Sequence, residues 1–310
     1  MDERIKVSFM SLNADIVKKF SNNFSKNIKL SNFSWFNLGG PAEYFFKPEN
    51  KNQLIEFLKI NKKNKFKITI LGAGSNTLVR DNGIKGVVIK LGPSFSKIKL
   101  IDKNIIEAGA GALDRKIANF AKENGIGNLE FLSCIPGSIG GGIVMNSGCY
   151  GNDISKVLLS IKVIDIHTCQ EKEIKSEDIE FFYRNTNLPK GLIIFSVKLR
   201  GKILPKDQIE KKQNEMIKKK KISQPSQIKT CGSTFKNISK EKKAWMIIKE
   251  TGCDKFNEGD ATISEKHCNF FVNKGKAKSA DIEKLINKVK KKVSDKTGVN
   301  LELEIKIVGE

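Results

Sequence analysis

The sequence predicts an α+β fold of two units, and three observations carry that reading. Helical and strand-like patterns occur in both halves of the chain, without the steady βαβ alternation of a doubly wound sheet. Two glycine-rich stretches, at 71–83 and 135–151, lie in the first half. At 205–221 (PKDQIEKKQNEMIKKKK) the composition shifts to a charged connector, beyond which a second, smaller unit begins. A chain of 310 residues, 39% hydrophobic, is long enough for two packed domains.

The elements follow in order. Residues 50–64 place Leu54, Ile55, Phe57 and Leu58 on one helical stripe. Strand-like runs come next at 66–71, 86–91 and 105–108. Residues 113–124 put Leu113, Ile117, Phe120 and Ala121 on one helix face, and Gly125 sits where that helix stops. Strands resume at 157–166 and 192–200, and the connector itself reads as helical. In the second unit Ser279 is placed to cap a helix. Its Ile282, Leu285, Ile286, Val289 and Val293 keep helical spacing up to a closing Gly298. A final strand covers 299–309. Alternation along it sets Glu302, Glu304 and Lys306 on one side and Leu301, Leu303, Ile305 and Ile307 on the other, so pattern alone leaves Glu304 solvated.

The formal net charge is +22, but only five of the 56 basic residues are Arg. Arg is the side chain preferred for bidentate phosphate and base contacts. The abundance of Lys, Asn and Ile reads as compositional drift, so no nucleic-acid partner is expected. The first twenty residues never sustain the apolar run of a signal peptide, and no stretch approaches the roughly 18 apolar residues of a membrane helix. The six cysteines, at 134, 149, 169, 231, 253 and 268, show no CxxC spacing, and two histidines are too few for a multi-histidine site. No metal is expected, and the thiols suit a reduced cytosolic compartment.

The first glycine stretch, LGAGSNTLVRDNG, follows the apolar run KITI. Gly72 and Gly74 fit the start of a dinucleotide fingerprint, but Thr77 stands at its sixth position and no Gly-Lys-Ser/Thr follows. Gly72 and Gly74 allow close backbone approach, and Ser75, Asn76 and Thr77 offer short donors to a phosphate. A plain tight turn fits this stretch about equally well. The second stretch, IPGSIGGGIVMNSGCYG, has six Gly in seventeen residues. Consecutive N–H groups free of side chains can line a pyrophosphate. Two such loops imply a long dinucleotide lying between them.

Six stretches, GAGSNTLVRDNGIKGVVIKL, NLEFLSCIPGSIGGGIVMNSGCYG, FYRNTNL, GSTFKN, HCNFFVN and LELEIKIVG, stand in the order of the UDP-N-acetylenolpyruvoylglucosamine reductase family, which the chain resembles in its short form. SWFNLGGPAEYFFKP at 34–48 resembles the family's opening strand and glycine pair. The resemblance implies a two-part FAD-binding domain of the PCMH/vanillyl-alcohol-oxidase type at 28–202. A smaller α+β substrate-binding domain at 203–310 would follow, its last strand packing back on the N-terminal part. It implies a cytoplasmic, monomeric enzyme of peptidoglycan precursor synthesis. NADPH would give hydride, through FAD, to UDP-N-acetylglucosamine enolpyruvate, forming UDP-N-acetylmuramate. The chain departs from the family's usual pattern at Ile238, where Pro is usual, at the run Gly140 to Gly142, and at Cys134 and Cys149, where Gly and Ala are common. The alternatives are another FAD-dependent oxidoreductase on the same scaffold and a basic nucleic-acid-binding protein.

The resemblance also implies roles. FAD would lie against Gly72, Gly74, Ser75, Asn76, Thr77 and Leu78 of the first loop. In the second it would meet Ile135, Pro136, Gly137, Ser138, Gly140, Gly141, Asn146 and Gly148. Arg184 would face the substrate carboxylate, where a planar guanidinium suits rising charge. Ser233 would protonate C2, a task for which a hydroxyl needs help from its surroundings. Glu304 would act as acid, given a raised pKa, or as an orienter of the carboxylate. Asn237 would bind the nucleotide part of the substrate. Tyr183 would contact the carboxylate or pack in the core, and His267 would reach the diphosphate or cap a strand.

Overall fold

The computed structural model describes Ile16 and residues 19–239 and 241–310. Strands β1 (Phe24–Lys29), β2 (Pro41–Phe46), β3 (Ile68–Ile70), β4 (Thr77–Val79) and β5 (Ile84–Ile89) open the first unit. Four of them make a sheet in the order β1-β2-β5-β3, antiparallel at β1/β2 and parallel elsewhere. Parallel pairing needs a crossover, and helix α1 (Lys51–Asn64) supplies it. Leu54, Phe57 and Leu58 of α1 share a core with Phe46, Val87 and Ile89 of the sheet. The Asn50 side chain caps α1 by accepting the Gln53 N–H.

A second sheet contains β6 (Ile98–Asp102), β7 (Ile105–Gly109), β8 (Leu158–Asp165), β9 (Glu171–Lys175) and β10 (Leu192–Arg200). It runs β9-β8-β10-β7-β6 and is antiparallel throughout. Between β7 and β8 the chain folds α2 (Asp114–Glu123) and the short helix α3 (Ile139–Val144), whose Ile117 and Ile143 share a core with Ile106, Val197 and Leu199. The connector forms α4 (Lys206–Ser223). Its Met216 joins that same core, and Gln213 Nε2 donates to Asn119 Oδ1 of α2 at 2.9 Å. The charged helix therefore packs on the first unit instead of bridging free space.

The second unit has α5 (Ala244–Glu250), strands β11 (Asn257–Glu258), β12 (Ala261–Ser264) and β13 (His267–Asn273) in one antiparallel sheet, and α6 (Ser279–Thr297). The predicted stripe of α6 is buried in full, and Gly298 closes the helix at φ 68°. The predicted cap differs. Ser279 is the first helical residue, and its hydroxyl donates to the Val79 carbonyl at 2.6 Å. The orphan N–H groups of Ser279 and Ala280 are taken instead by Asp81 of the first unit, each at 2.9 Å.

The last strand is shorter than the alternation predicts. Only β14 (Lys306–Val308) is a strand, parallel to β4. Residues 299–305 make a single bridge, Leu303 to Phe235, in which the Glu304 N–H donates to the Thr234 carbonyl and the Lys236 N–H to the Glu302 carbonyl, each at 2.8 Å. The β4–β14 pair joins the units. Leu78 of β4 lies in the second unit's core with Phe235, Leu301 and Ile305.

Candidate active site

The ladder of the first sheet ends where the Leu71 N–H donates to the Ile89 carbonyl at 2.9 Å, and pairing resumes at Thr77. Among the described residues the backbone N–H groups of Gly72 to Asn76 have no acceptor. Folded chains rarely leave such donors unpaired unless a ligand or water takes them. Gly74 has φ 69°, and a Cβ there would stand 1.8 Å from the Phe33 carbonyl oxygen, so only glycine fits. A Cβ on Gly72 would meet Ser138 Oγ at 2.9 Å, which means the two glycine stretches touch. Lys90, at the end of β5, donates to the Gly72 carbonyl, and burial lowers its pKa, with the nearby Lys47 adding to the effect.

The second stretch is not loop throughout. Gly140, Gly141 and Gly142 lie in α3. Glycine is needed at 140 for packing: a Cβ there would stand 2.9 Å from Ala110 Cβ and 3.0 Å from the Ala110 carbonyl oxygen. Beneath this turn lies Asp114, whose carboxyl is fully buried and unpartnered. Its oxygens sit against Gly137 and Gly142, and burial pushes its pKa up to about 8. Unpaired backbone donors, two glycine stretches that touch and a lysine at the loop fit a dinucleotide with two phosphates, so the residues present fit FAD.

Not every residue assigned to the cofactor offers it a side chain. Leu78 is in the core. Asn146, buried at φ 39°, spends both ends of its amide on the Phe182 carbonyl and the Ser155 N–H, each at 3.2 Å. Asn76 Nδ2 donates to the Glu304 carbonyl at 3.1 Å. The first loop thus presents backbone, with Ala73, Ser75 and Thr77 as its half-buried side chains not tied elsewhere. Ile135, Gly137, Gly140 and Gly148 are half-buried, Pro136 and Gly141 are exposed, and Ser138 is buried.

Three segments bring the chemical groups together. Arg184 sits in the turn of a hairpin pairing Phe181 and Phe182 with Asn185 and Thr186, at a strained φ of 58°. Its Nε donates to Glu304 Oε1 at 2.8 Å, with both side chains largely buried. Glu304 is therefore not solvated as alternation predicted; the irregular backbone at 303–305 turns it inward. Burial raises its pKa, and the Arg184 guanidinium opposes that shift. Ser233 follows Gly232 at φ 80° and bridges Phe270. The next residue, Thr234, takes the Glu304 N–H, so Ser233 and Glu304 lie on neighbouring segments.

Tyr183 is exposed rather than in the core. Its ring lies 5.1 Å from the Arg184 guanidinium, and its hydroxyl accepts from Asn237 Nδ2 at 3.3 Å. Asn237 Oδ1 accepts the Ala244 N–H, the first of α5, at 3.2 Å. His267 packs edge-on to Phe270 at 4.7 Å and lies 6.3 Å from Trp245. Burial lowers its pKa, and its Nδ1 accepts the Asn269 N–H at 3.3 Å. Lys90 and Trp245 were not singled out from the sequence. One lysine among so many gives no signal, and a tryptophan inside an unrecognised helix gives little more.

Residues 224–308 match the model for the C-terminal domain of UDP-N-acetylenolpyruvoylglucosamine reductase, and residues 42–168 match an FAD binding domain. A UDP-N-acetylenolpyruvoylglucosamine reductase from Pelagibacter ubique is 47% identical over 300 residues, 94% of this chain and 98% of that protein. The chain belongs to the UDP-N-acetylenolpyruvoylglucosamine reductase family. Another relative of that name, from Orientia tsutsugamushi, is 42% identical over 94% of this chain and 96% of its own length. The crystal structure of the reductase from Thermus caldophilus superposes with a TM-score of 0.80 at 30% identity, covering 92% of this chain and 98% of that one. As a member of this family the chain is an FAD-containing oxidoreductase, and FAD is the group that the paired glycine stretches fit.

Proposed function

We propose that the protein reduces the enolpyruvyl group of UDP-N-acetylglucosamine enolpyruvate to the lactyl ether of UDP-N-acetylmuramate, with NADPH as the electron source. The observation that carries this reading is the junction of three segments: Arg184 holds Glu304, and the Glu304 backbone is bonded beside Ser233. Held by the two glycine stretches, FAD would supply the chemistry of hydride transfer, from NADPH to C3 of the enol ether. The chain's own groups manage the charge and the proton. Arg184 receives the substrate carboxylate, whose charge rises as C2 becomes enolate-like, and a largely buried guanidinium stabilises it without reorganising. Ser233 gives its hydroxyl proton to C2. Glu304, whose pKa burial raises, either orients the carboxylate or restores the serine proton. Tyr183, Asn237 and His267 hold the nucleotide sugar.

The same proposal includes a cytosolic, monomeric enzyme divided near residue 203. The six cysteines are free thiols, and no helix among the described residues is long and apolar enough to cross a membrane. The test is Ser233→Ala. NADPH should bleach its flavin at the wild-type rate, while turnover with the enolpyruvyl sugar falls about 10²–10⁴-fold, the usual range for removing a general acid. Unimpaired turnover would remove Ser233 from the mechanism.

A further inference from the structure

A strip of contacts leads away from the chemical groups. Glu304 holds Arg184, Arg184 lies over Tyr183, and the Tyr183 hydroxyl accepts from Asn237. Asn237 then fixes the first residue of α5. The next residue is Trp245, at the far end of the strip, with 37% of its surface exposed. Ile238 and Met246 beside it are exposed too, so this end of the strip is an open apolar surface. A lone exposed aromatic is ordinary; one attached to the strip that carries the proposed substrate contacts has a position to explain.

His267 fixes how this tryptophan can be used. Its ring lies 6.3 Å from the indole at an interplanar angle of 59°. That tilt excludes a parallel slot between the two rings. His267 therefore stands beside the indole at an angle, and Trp245 keeps part of its surface open. His267 is itself held by Phe270 and by the Asn269 N–H. An exposed aromatic with a fixed neighbour suits a flat heterocycle, because less of the stacking surface has to be ordered when the ligand arrives.

We propose that Trp245, braced by His267, is the platform on which the pyrimidine base of the nucleotide stacks. This rests on the reading that the substrate is a uridine-nucleotide sugar. Its reacting end then lies at Arg184, Ser233 and Glu304, its diphosphate near Asn237, and its base at Trp245.

The test uses the FAD-loaded enzyme and two probes, UDP and inorganic pyrophosphate, titrated by calorimetry. Base–aromatic stacking is worth about 1–3 kcal/mol per base, so Trp245→Leu should weaken UDP about 5–150-fold. Pyrophosphate affinity should stay within about twofold, since no base is involved. Trp245→Phe, which keeps a stacking face, should recover most of the UDP affinity. Equal UDP affinity in Trp245→Leu and wild type would overturn the platform while leaving the substrate reading intact. Equal losses for UDP and pyrophosphate would also overturn it, since the effect would then be general damage to the site. Failure of the wild-type enzyme to bind UDP at all would overturn the substrate reading, and the platform with it.

Discussion

At the scale of single residues, the proposed mechanism turns on the pairing of Arg184 with Glu304. Neither residue's role follows from its neighbours in sequence. FYRNTNL and LELEIKIVG are ordinary polar–apolar stretches, and only their likeness to a family set them apart. The contact spans 120 positions, so no local pattern could predict it. Arg184→Ala should lower turnover about 10²–10³-fold, the usual effect of removing one charge-stabilising donor. Flavin content in that variant should be unchanged. Asp114 makes a separate prediction. Its folded pKa of about 8 lies far above the usual 3.8 of an unfolded aspartate. Between those values the folded chain holds a proton that the unfolded chain has released. Stability is therefore fully present below the lower value and falls as pH rises toward 8. Asn is uncharged in both states, so the melting temperature of Asp114→Asn relative to wild type should climb steadily from pH 5 to pH 8. A constant difference would show that Asp114 is ionised in the folded protein.

At the scale of elements, the helices α1, α2 and α6 were legible because each carries an apolar stripe, with Gly125 and Gly298 as stops after α2 and α6, whereas α4 was legible as a charged connector. Strands β6 and β9 were not. LID and EKEIK lie on outer strands with little buried surface, so their patterns resemble loop. Helix α5 was missed because seven residues are too few for a periodicity to show. The glycine stretches were legible as unusual, but their geometry was not: the second contains a helix, and the first meets it through Gly72 and Ser138. A pair of substitutions tests the first loop. Gly74→Ala combines a left-handed backbone with a backbone clash, and it should cost well over the ~1–2 kcal/mol of the left-handed conformation alone. It should also shed FAD. Gly151→Ala has a similar φ of 79° but nothing within 4 Å, so it should cost only about 1 kcal/mol and keep its flavin.

At the scale of the whole molecule, two features matter: how the units join and how charge is spread. The β4–β14 pair, the Asp81 cap on α6 and Leu78 in the second core all place first-unit residues inside second-unit structure. Glu304 is carried to the site by the segment that leads into this junction, so the chemistry depends on the two units being docked. The net charge of +22 was legible as a number but not as a purpose. In the proposed function a positive surface would draw in a nucleotide sugar whose diphosphate and carboxylate together carry three negative charges. Raising ionic strength from about 10 mM to about 500 mM shrinks the screening length from about 30 Å to below 10 Å. The apparent second-order rate constant for the enolpyruvyl sugar should then fall about tenfold, with the maximal rate little changed.

The central claim is that one site passes electrons from NADPH to an enolpyruvyl nucleotide sugar through FAD. Its most direct test is an anaerobic absorption trace of the flavin band, first on adding NADPH and then on adding UDP-N-acetylglucosamine enolpyruvate. The band should bleach in the first step and return in the second, with UDP-N-acetylmuramate formed in proportion to the flavin. Bleaching by NADPH with no return on adding the sugar would contradict the claim.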